Sequence, residues 1–290
     1  MKRSSISLTL ATLGLLAASS AGAAGLSLEV YNPGDKAIFP VSSTIIAGAH
    51  EVILVDAQFQ RNDAEALVQK IKASGKTLST VYISHGDPDF YFGLDVIQAA
   101  FPAAKILATA PTVEHIKATM DGKLAYWGPI LKNNAPQKLV LPEVIKGDTL
   151  KLEGQRISIK GLKSAAPERS YLWIPSLKTV TGGINVFSAT HVWIADTQSP
   201  QSRQNWQATL NSIAALKPVA VVPGHYLGAA PKGLAAVKFT SGYIQKFEAE
   251  AAKAKDSAEL IGAMKTSYPD VGEPASLEIS AKVIKGEMKW

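Results

Sequence analysis

No cysteine occurs among the 290 residues of this chain. Disulfide scaffolds, cysteine zinc sites, iron–sulfur clusters and thiolate nucleophiles are thereby excluded, because each needs that side chain. Charge is sparse too: charged residues are 19% of the sequence, and 30 basic side chains face 24 acidic ones. The lysines are scattered and not interleaved with aromatics, so the small basic excess describes no nucleic-acid groove and no nucleic-acid partner is expected. Histidine is scarce, five in all, which limits any imidazole-based site. With 47% hydrophobic residues the chain has what a globular core requires.

Long apolar runs are absent except at the beginning. There Lys2 and Arg3 precede Leu8, Leu10, Leu13, Leu15 and Leu16, and the stretch closes on the small residues Ala21, Gly22 and Ala23. A basic start, an apolar middle and a small-residue end are the layout of a secretory signal peptide over residues 1–23, cleaved after Ala23. A membrane anchor is the other reading, but Ser and Thr interrupt the run and it falls short of the roughly 20 residues a span needs. The expectation is an exported protein, periplasmic or secreted, with no membrane span once the signal is removed.

Past an irregular opening through Asn32, Pro33, Gly34 and Asp35, strands are predicted at 43–47 and 51–55, the second carrying the continuous apolar run Val52 to Val55. Such runs mark strands covered on both faces. Helix 63–73 follows from the spacing of Ala66, Leu67, Lys70 and Ile71, with Gly75 ending it. Strand 80–84, helix 94–101 and strand 104–109 continue the alternation of a layered α/β half. Short strands are then predicted at 138–141, 149–152, 156–160, 171–174, 179–181 and 191–194, followed by helix 202–215 and strand 219–222. From Lys232 the chain is rich in Ala, Lys and Glu. Val237, Ile244, Phe247 and Ala251 there share one helical face, so residues 232–290 read as a C-terminal helical extension packed on a core domain of 24–231.

The densest polar cluster lies where the strand predicted at 80–84 ends: Ser84, His85, Gly86, Asp87, Pro88, Asp89, Phe90, Tyr91, Phe92 and Gly93. A strand delivering His, Asp and Asp to one loop before a helix places nitrogen and oxygen donors at a sheet edge, where α/β proteins bind ligands. A plain turn is the alternative, with Asp87 or Asp89 capping the next helix.

The loop resembles the signature H-x-H-x-D-H-x-x-G of the metallo-β-lactamase fold superfamily, and Val52 to Asp56 is similar to the family's preceding strand. His85, Asp89 and Gly93 match; Asp87 and Phe90 stand where the second and third histidines belong. Tyr171 to Pro175 followed by Thr181, Gly182 and Gly183 resembles the strands before the family's T-G-D turn, with Gly183 replacing the bridging aspartate. Val221 to His225 matches the late P-G-H motif. Residues 161–170 hold no histidine for the middle metal position, and Glu168 is the only evident substitute. The resemblance spans about 28–230 and implies an α/β, four-layer αβ/βα sandwich. It also implies a depleted metal centre of His85, Asp87, Asp89 and His225 in place of the usual two-metal site. That set favours one divalent ion of zinc, manganese or iron, or none.

The same resemblance implies hydrolysis of a small ester, lactone or amide by a metal-activated water. Asp89 would orient that water or take its proton, and Asp56 would accept the free ring N–H of His85. A non-catalytic relative that binds a small molecule or a protein partner in the same cleft is the other reading, favoured by Phe90 and Gly183. His191, with Asp196 near it, is a candidate for the vacant ligand position, although a hydrogen-bonded structural histidine is the weightier reading. His50 and His115 read as solvated and without a role. Ser84 lacks the Gly-x-Ser-x-Gly setting of a nucleophile elbow, and no glycine-rich phosphate loop is present. The sequence leaves oligomeric state open.

Overall fold

A computed structural model describes residues 25–290, so the expected export signal lies outside the described residues. Strands β1 (Ser27–Tyr31), β2 (Ser43–Ala47), β3 (Glu51–Val55), β4 (Thr77–Ile83), β5 (Lys105–Ala108) and β6 (Glu143–Val144) make one sheet in that order. β1 to β3 pair antiparallel and β3 to β6 parallel. A second sheet contains β7 (Thr149–Leu152), β8 (Gln155–Lys160), β9 (Tyr171–Ile174) and β10 (Thr179–Thr181). Strand β11 (Phe187–Ser188) stands outside it; β12 (Ala220–Val221) joins its edge beside β10, and β13 (His225–Tyr226) pairs parallel with β11.

The apolar run of β3 explains the layering. Ile53 and Val55 point between the sheets onto Leu150, Leu152, Ile157, Ile159, Leu172 and Ile174, while Val52 and Leu54 belong to the core on the other face. That face is covered by α1 (Arg61–Ala73), whose Ala64, Leu67, Val68 and Ile71 are buried at helical spacing. Helices α2 (Pro88–Tyr91) and α3 (Leu94–Ala100) follow β4. A long helix, α4 (Ala110–Leu131), comes next, and α5 (Pro200–Ala215) buries Trp206, Leu210 and Ile213 in the same core as Tyr171, Val180 and Val221 of the second sheet, with its Ser212 hydroxyl hydrogen-bonded to that of Tyr171 at 2.9 Å. The result is the expected αβ/βα sandwich. Each fully buried large side chain in it contributes about 2 kcal/mol relative to exposure.

Several elements depart from the sequence reading. β1 forms in the stretch read as irregular, because its edge pairs with β2 from Ser27↔Ala47 to Tyr31↔Ser43. No strand forms at 138–141; the chain joins the sheet two residues later as β6. Residues 191–194 form no ladder either: their neighbour is the tail, through the His191 N–H donating to the Gly272 carbonyl at 2.8 Å. Helix α4 was not anticipated, although Thr109 caps it and Pro111 stands in its first turn. Its length is mostly half-exposed, so it carries a weak apolar stripe. The tail contains α6 (Ala235–Ala251), α7 (Ser257–Ser267) and α8 (Pro274–Ile284), with α6 packed on α5 and β11 and α7 on both its neighbours. Among the described residues no helix is long and apolar enough to cross a membrane.

Candidate functional site

The site is assembled where β3, β4 and the chain after β10 end side by side. Asp56 follows β3 with φ of 65° and is 1% exposed. Its Oδ1 accepts the Ser84 backbone N–H at 2.8 Å and its Oδ2 accepts the Ser84 hydroxyl at 2.6 Å. The Ser84 Oγ in turn accepts the Gly183 N–H at 2.7 Å. This chain of bonds ties the first sheet to the turn after β10, and it corrects the role expected for Asp56. Its carboxylate serves Ser84 and not the His85 ring. Burial pushes the Asp56 carboxyl up to about 8, against the two hydrogen bonds from Ser84 that favour its charge.

Gly93, the matched motif glycine, shows why no larger residue fits: a Cβ there would lie 2.1 Å from the Ala57 carbonyl oxygen. That close approach holds the loop's far end against the β3 terminus, and His85 to Asp89 are aimed from between two fixed points. Pro88 opens α2 without needing a donor for its first turn.

Of the expected ligands, His85, Asp87, Asp89 and His225 are all buried in this region. They divide into two pairs. His225 Nε2 and Asp89 Oδ2 share a hydrogen bond of 2.6 Å. His85 Nδ1 accepts the Asp87 N–H at 3.3 Å and lies 3.4 Å from Asp87 Oδ2. Phe90 is fully buried between the pairs, its ring edge-on to His85 at 5.3 Å and to His225 at 5.6 Å. The other Asp87 oxygen faces His115 Nε2 at 3.8 Å, so the two oxygens of one carboxylate address different imidazoles. Burial first, then the Arg169 and His115 charges, hold His85 neutral, down to about 4 despite Asp87 and Asp89.

These donors do not fit the family's metals. Among the described residues, no three His or carboxylate side chains converge where one cation could be held. Gly183 leaves no room for a bridging carboxylate, since a Cβ would lie 2.4 Å from the Ser170 carbonyl oxygen. Glu168, the expected substitute ligand, is exposed on a single turn of 3-10 helix, and it is the next residue, Arg169, that is buried there. The Arg169 guanidinium lies 4.0 Å over the Trp206 ring and feels the charges of Asp196, Glu168 and Asp87. A fixed positive charge occupies the neighbourhood where a cation would have to enter.

His191 and Asp196 are also accounted for by protein partners. His191 Nδ1 shares a hydrogen bond of 2.9 Å with the Tyr243 hydroxyl on α6. Asp196 accepts the indole N–H of Trp193 at 2.5 Å and of Trp290 at 2.7 Å. Burial raises the Asp196 carboxyl, and the Asp87 charge adds to it. The tail thus roofs the site: Trp290 meets Trp193 edge-on at 5.0 Å, with the Lys123 ammonium 5.0 Å over its ring. Beneath that roof a cavity of about 50 Å³ touches Asp89, His225, Thr190 and Glu273. His225 Nδ1 and Thr190 Oγ1 are buried without a partner there. Beside it opens a cleft of about 700 Å³ bounded by His85, Asp87, His115, Lys123, Trp127 and Arg169.

Sequence reading missed three of these residues. His115 and Lys123 both face Asp87 from α4; His115 is exposed, as its solvated reading expects, but its Nε2 lies 3.8 Å from that carboxylate. The signal for them was the Thr109–Pro111 helix start, which places both on one long helix. Arg169 had no signal, because nothing local distinguishes a buried arginine from a surface one.

Acid is expected to weaken the fold through His191. Burial, with the Lys265 charge, lowers its imidazole to about 4, whereas an unfolded histidine titrates near 6.5. The unfolded state therefore takes up the proton first. This contribution is whole above about pH 6.5 and is lost as pH falls through about 4. His85 acts with the same sign. Urea melts across that window should show stability falling with pH, less steeply in His191→Gln; an unchanged slope in the variant would reject the assignment.

A model of the metallo-β-lactamase superfamily matches residues 38–225 of the chain. Solved structures agree in fold. A metallo-β-lactamase from Pontibacter korlensis is 16% identical at a TM-score of 0.54, covering 76% of this chain and 95% of its own. IND-7 metallo-β-lactamase is 20% identical at 0.54, covering 77% and 94%, and DIM-1 metallo-β-lactamase is 17% identical at 0.55, covering 77% and 99%. A comparison with curated protein sequences gives no match. The two-sheet sandwich from β2 onward, the β3 and β4 termini converging on His85 to Gly93, and the late Pro223-Gly224-His225 turn all fall within the matched residues; the chain belongs to the metallo-β-lactamase superfamily, with that superfamily's hydrolase-like fold.

Proposed function

We propose that this protein is an exported superfamily member that binds a small molecule in the cleft over His85 and Asp87 and does so without a metal-bound hydroxide. One observation carries it: Asp89 and His225, two of the four retained donors, bond each other at 2.6 Å with Phe90 between them and the other pair. Export is supported by Lys2, Arg3, the apolar run after them and the Ala21-Gly22-Ala23 close. A cleft of about 700 Å³ is within the range that takes a small organic ligand.

The second reading is hydrolysis of a small ester, lactone or amide through a metal-activated water. It draws on the retention of His85, Asp87, Asp89 and His225 in one buried region. Metal analysis of protein purified without added metal separates the two. The expected result is less than about a tenth of an equivalent of any transition metal, with the same melting temperature in chelator. A full equivalent that stabilises the protein, and that His85→Ala and His225→Ala each strip, would overturn the metal-free reading in favour of the hydrolase.

A further inference from the structure

The least explained charge in the molecule is Arg169. It is 4% exposed, its Nη1 has no hydrogen-bond partner, and among the described residues no carboxylate lies within 4.0 Å of its guanidinium. One face is covered by the Trp206 indole at 4.0 Å, and the residue borders the large cleft. A buried cation with neither a salt bridge nor a full set of acceptors destabilises the fold that contains it. The surrounding field is shaped as well: burial lowers the Arg169 guanidinium from its usual range, and Asp196, Glu168 and Asp87 oppose that from a distance. Asp196 is already held by two indoles, Asp87 is faced by His85, His115 and Lys123, and Glu168 is exposed. Among the described residues no acid completes the guanidinium.

We propose that Arg169 is the anchor for a small organic carboxylate, whose acid group reaches the guanidinium while its apolar body lies along Trp127 and Tyr126 in the cleft. The inference rests on the metal-free reading of the cleft. A planar fork of N–H donors matches a carboxylate in two parallel hydrogen bonds. A single carboxylate suits the site better than a phosphate, because three acidic side chains within the same field would repel a second negative charge. Trp127 and Tyr126, meeting edge to face at 4.9 Å, line the same cleft and offer an apolar wall.

Benzoate and phenylacetate are the probes, with benzamide and phenyl phosphate as the neutral and dianionic counterparts. Titration calorimetry on the full mature chain should detect either carboxylate and find benzamide and phenyl phosphate weaker by about tenfold or more. Arg169→Met should lose carboxylate binding by a similar factor and, without ligand, should melt at a higher temperature than wild type. That gain is the signature a merely structural arginine would not give, since loss of a structural arginine lowers the melting temperature. Failure of both carboxylates to bind, equal binding of benzamide, or undiminished binding to Arg169→Met would each overturn the inference. Should Arg169→Met not fold, the arginine is structural and the inference falls with it. Metal content measured on the same samples keeps the two questions apart. Stoichiometric metal overturns the metal-free reading, whereas metal-free protein that ignores both carboxylates overturns this inference alone.

Discussion

Gly183→Asp, which restores the superfamily's bridging residue, is expected to destabilise the protein by roughly 3 kcal/mol or more and to confer no metal binding. Gly183 has φ of 79°, a conformation that costs any residue with a Cβ. The added Cβ would also come within 2.4 Å of the Ser170 carbonyl oxygen and 3.1 Å of Asn185 Nδ2. The Ser170 carbonyl is backbone and cannot swing aside. The Asn185 amide is fixed too, because it donates to the Arg169 carbonyl at 2.9 Å. Repair of one ligand therefore strains the very segment that carries Arg169. Denaturant melts and metal analysis of the variant check this directly. A Gly183→Asp protein as stable as wild type and loaded with one equivalent of zinc would show that the turn can open and that the site is depleted in residue only, not in geometry.

Ser84→Ala is expected to cost roughly 2–4 kcal/mol, and more in alkaline than in acidic solution. The hydroxyl is the middle link between the Asp56 carboxylate at 2.6 Å and the Gly183 N–H at 2.7 Å. Without it, a buried N–H loses its acceptor and a fully buried carboxylate keeps one donor from Ser84 in place of two. The pH dependence follows from the Asp56 carboxyl, raised to about 8 in the folded chain and near 3.9 when unfolded. A raised acid contributes stability that is whole below about 3.9 and is lost as pH rises through about 8. Removing a donor that favours the charged form raises the folded carboxyl further. The penalty measured by urea melts at about pH 9 should thus exceed that at about pH 6. An equal penalty at both would mean that Asp56 is ionised throughout and that the hydroxyl acts only as a neutral hydrogen bond.

Much of the fold could be read from local residues. Val52 to Val55 announced a strand buried on both faces because four consecutive apolar residues leave no face for water, and the two cores on either side of β3 are what that requires. Gly93 could be placed as the end of the loop, since a glycine between a strand and a helix marks a close backbone approach, here to the Ala57 carbonyl. Helix α4 was less legible: its apolar residues are diluted by Gly122, Pro129 and a half-exposed surface, and its burial depends on neighbours far away in sequence. The same dependence hid the 191–194 segment, whose alternating Val192 and Ile194 are buried by the tail and not by a neighbouring strand.

The sequence by itself determined the fold family. Order along the chain, a strand ending in aspartate, the His85 to Gly93 loop and the Pro223-Gly224-His225 turn are local features, and local features survive without coordinates. Which donors face one another was decided only by the tertiary structure. Asp89 turns to His225 across 136 positions of chain, Asp56 to Ser84 across 28, and Asp196 to Trp290 across 94. Hydrogen bonding and charge act over a few ångströms of space and are indifferent to sequence separation. For that reason the absence of cysteine and the scarcity of histidine bounded the chemistry from the start, while the unpaired guanidinium of Arg169 became visible only when the fold had closed around it.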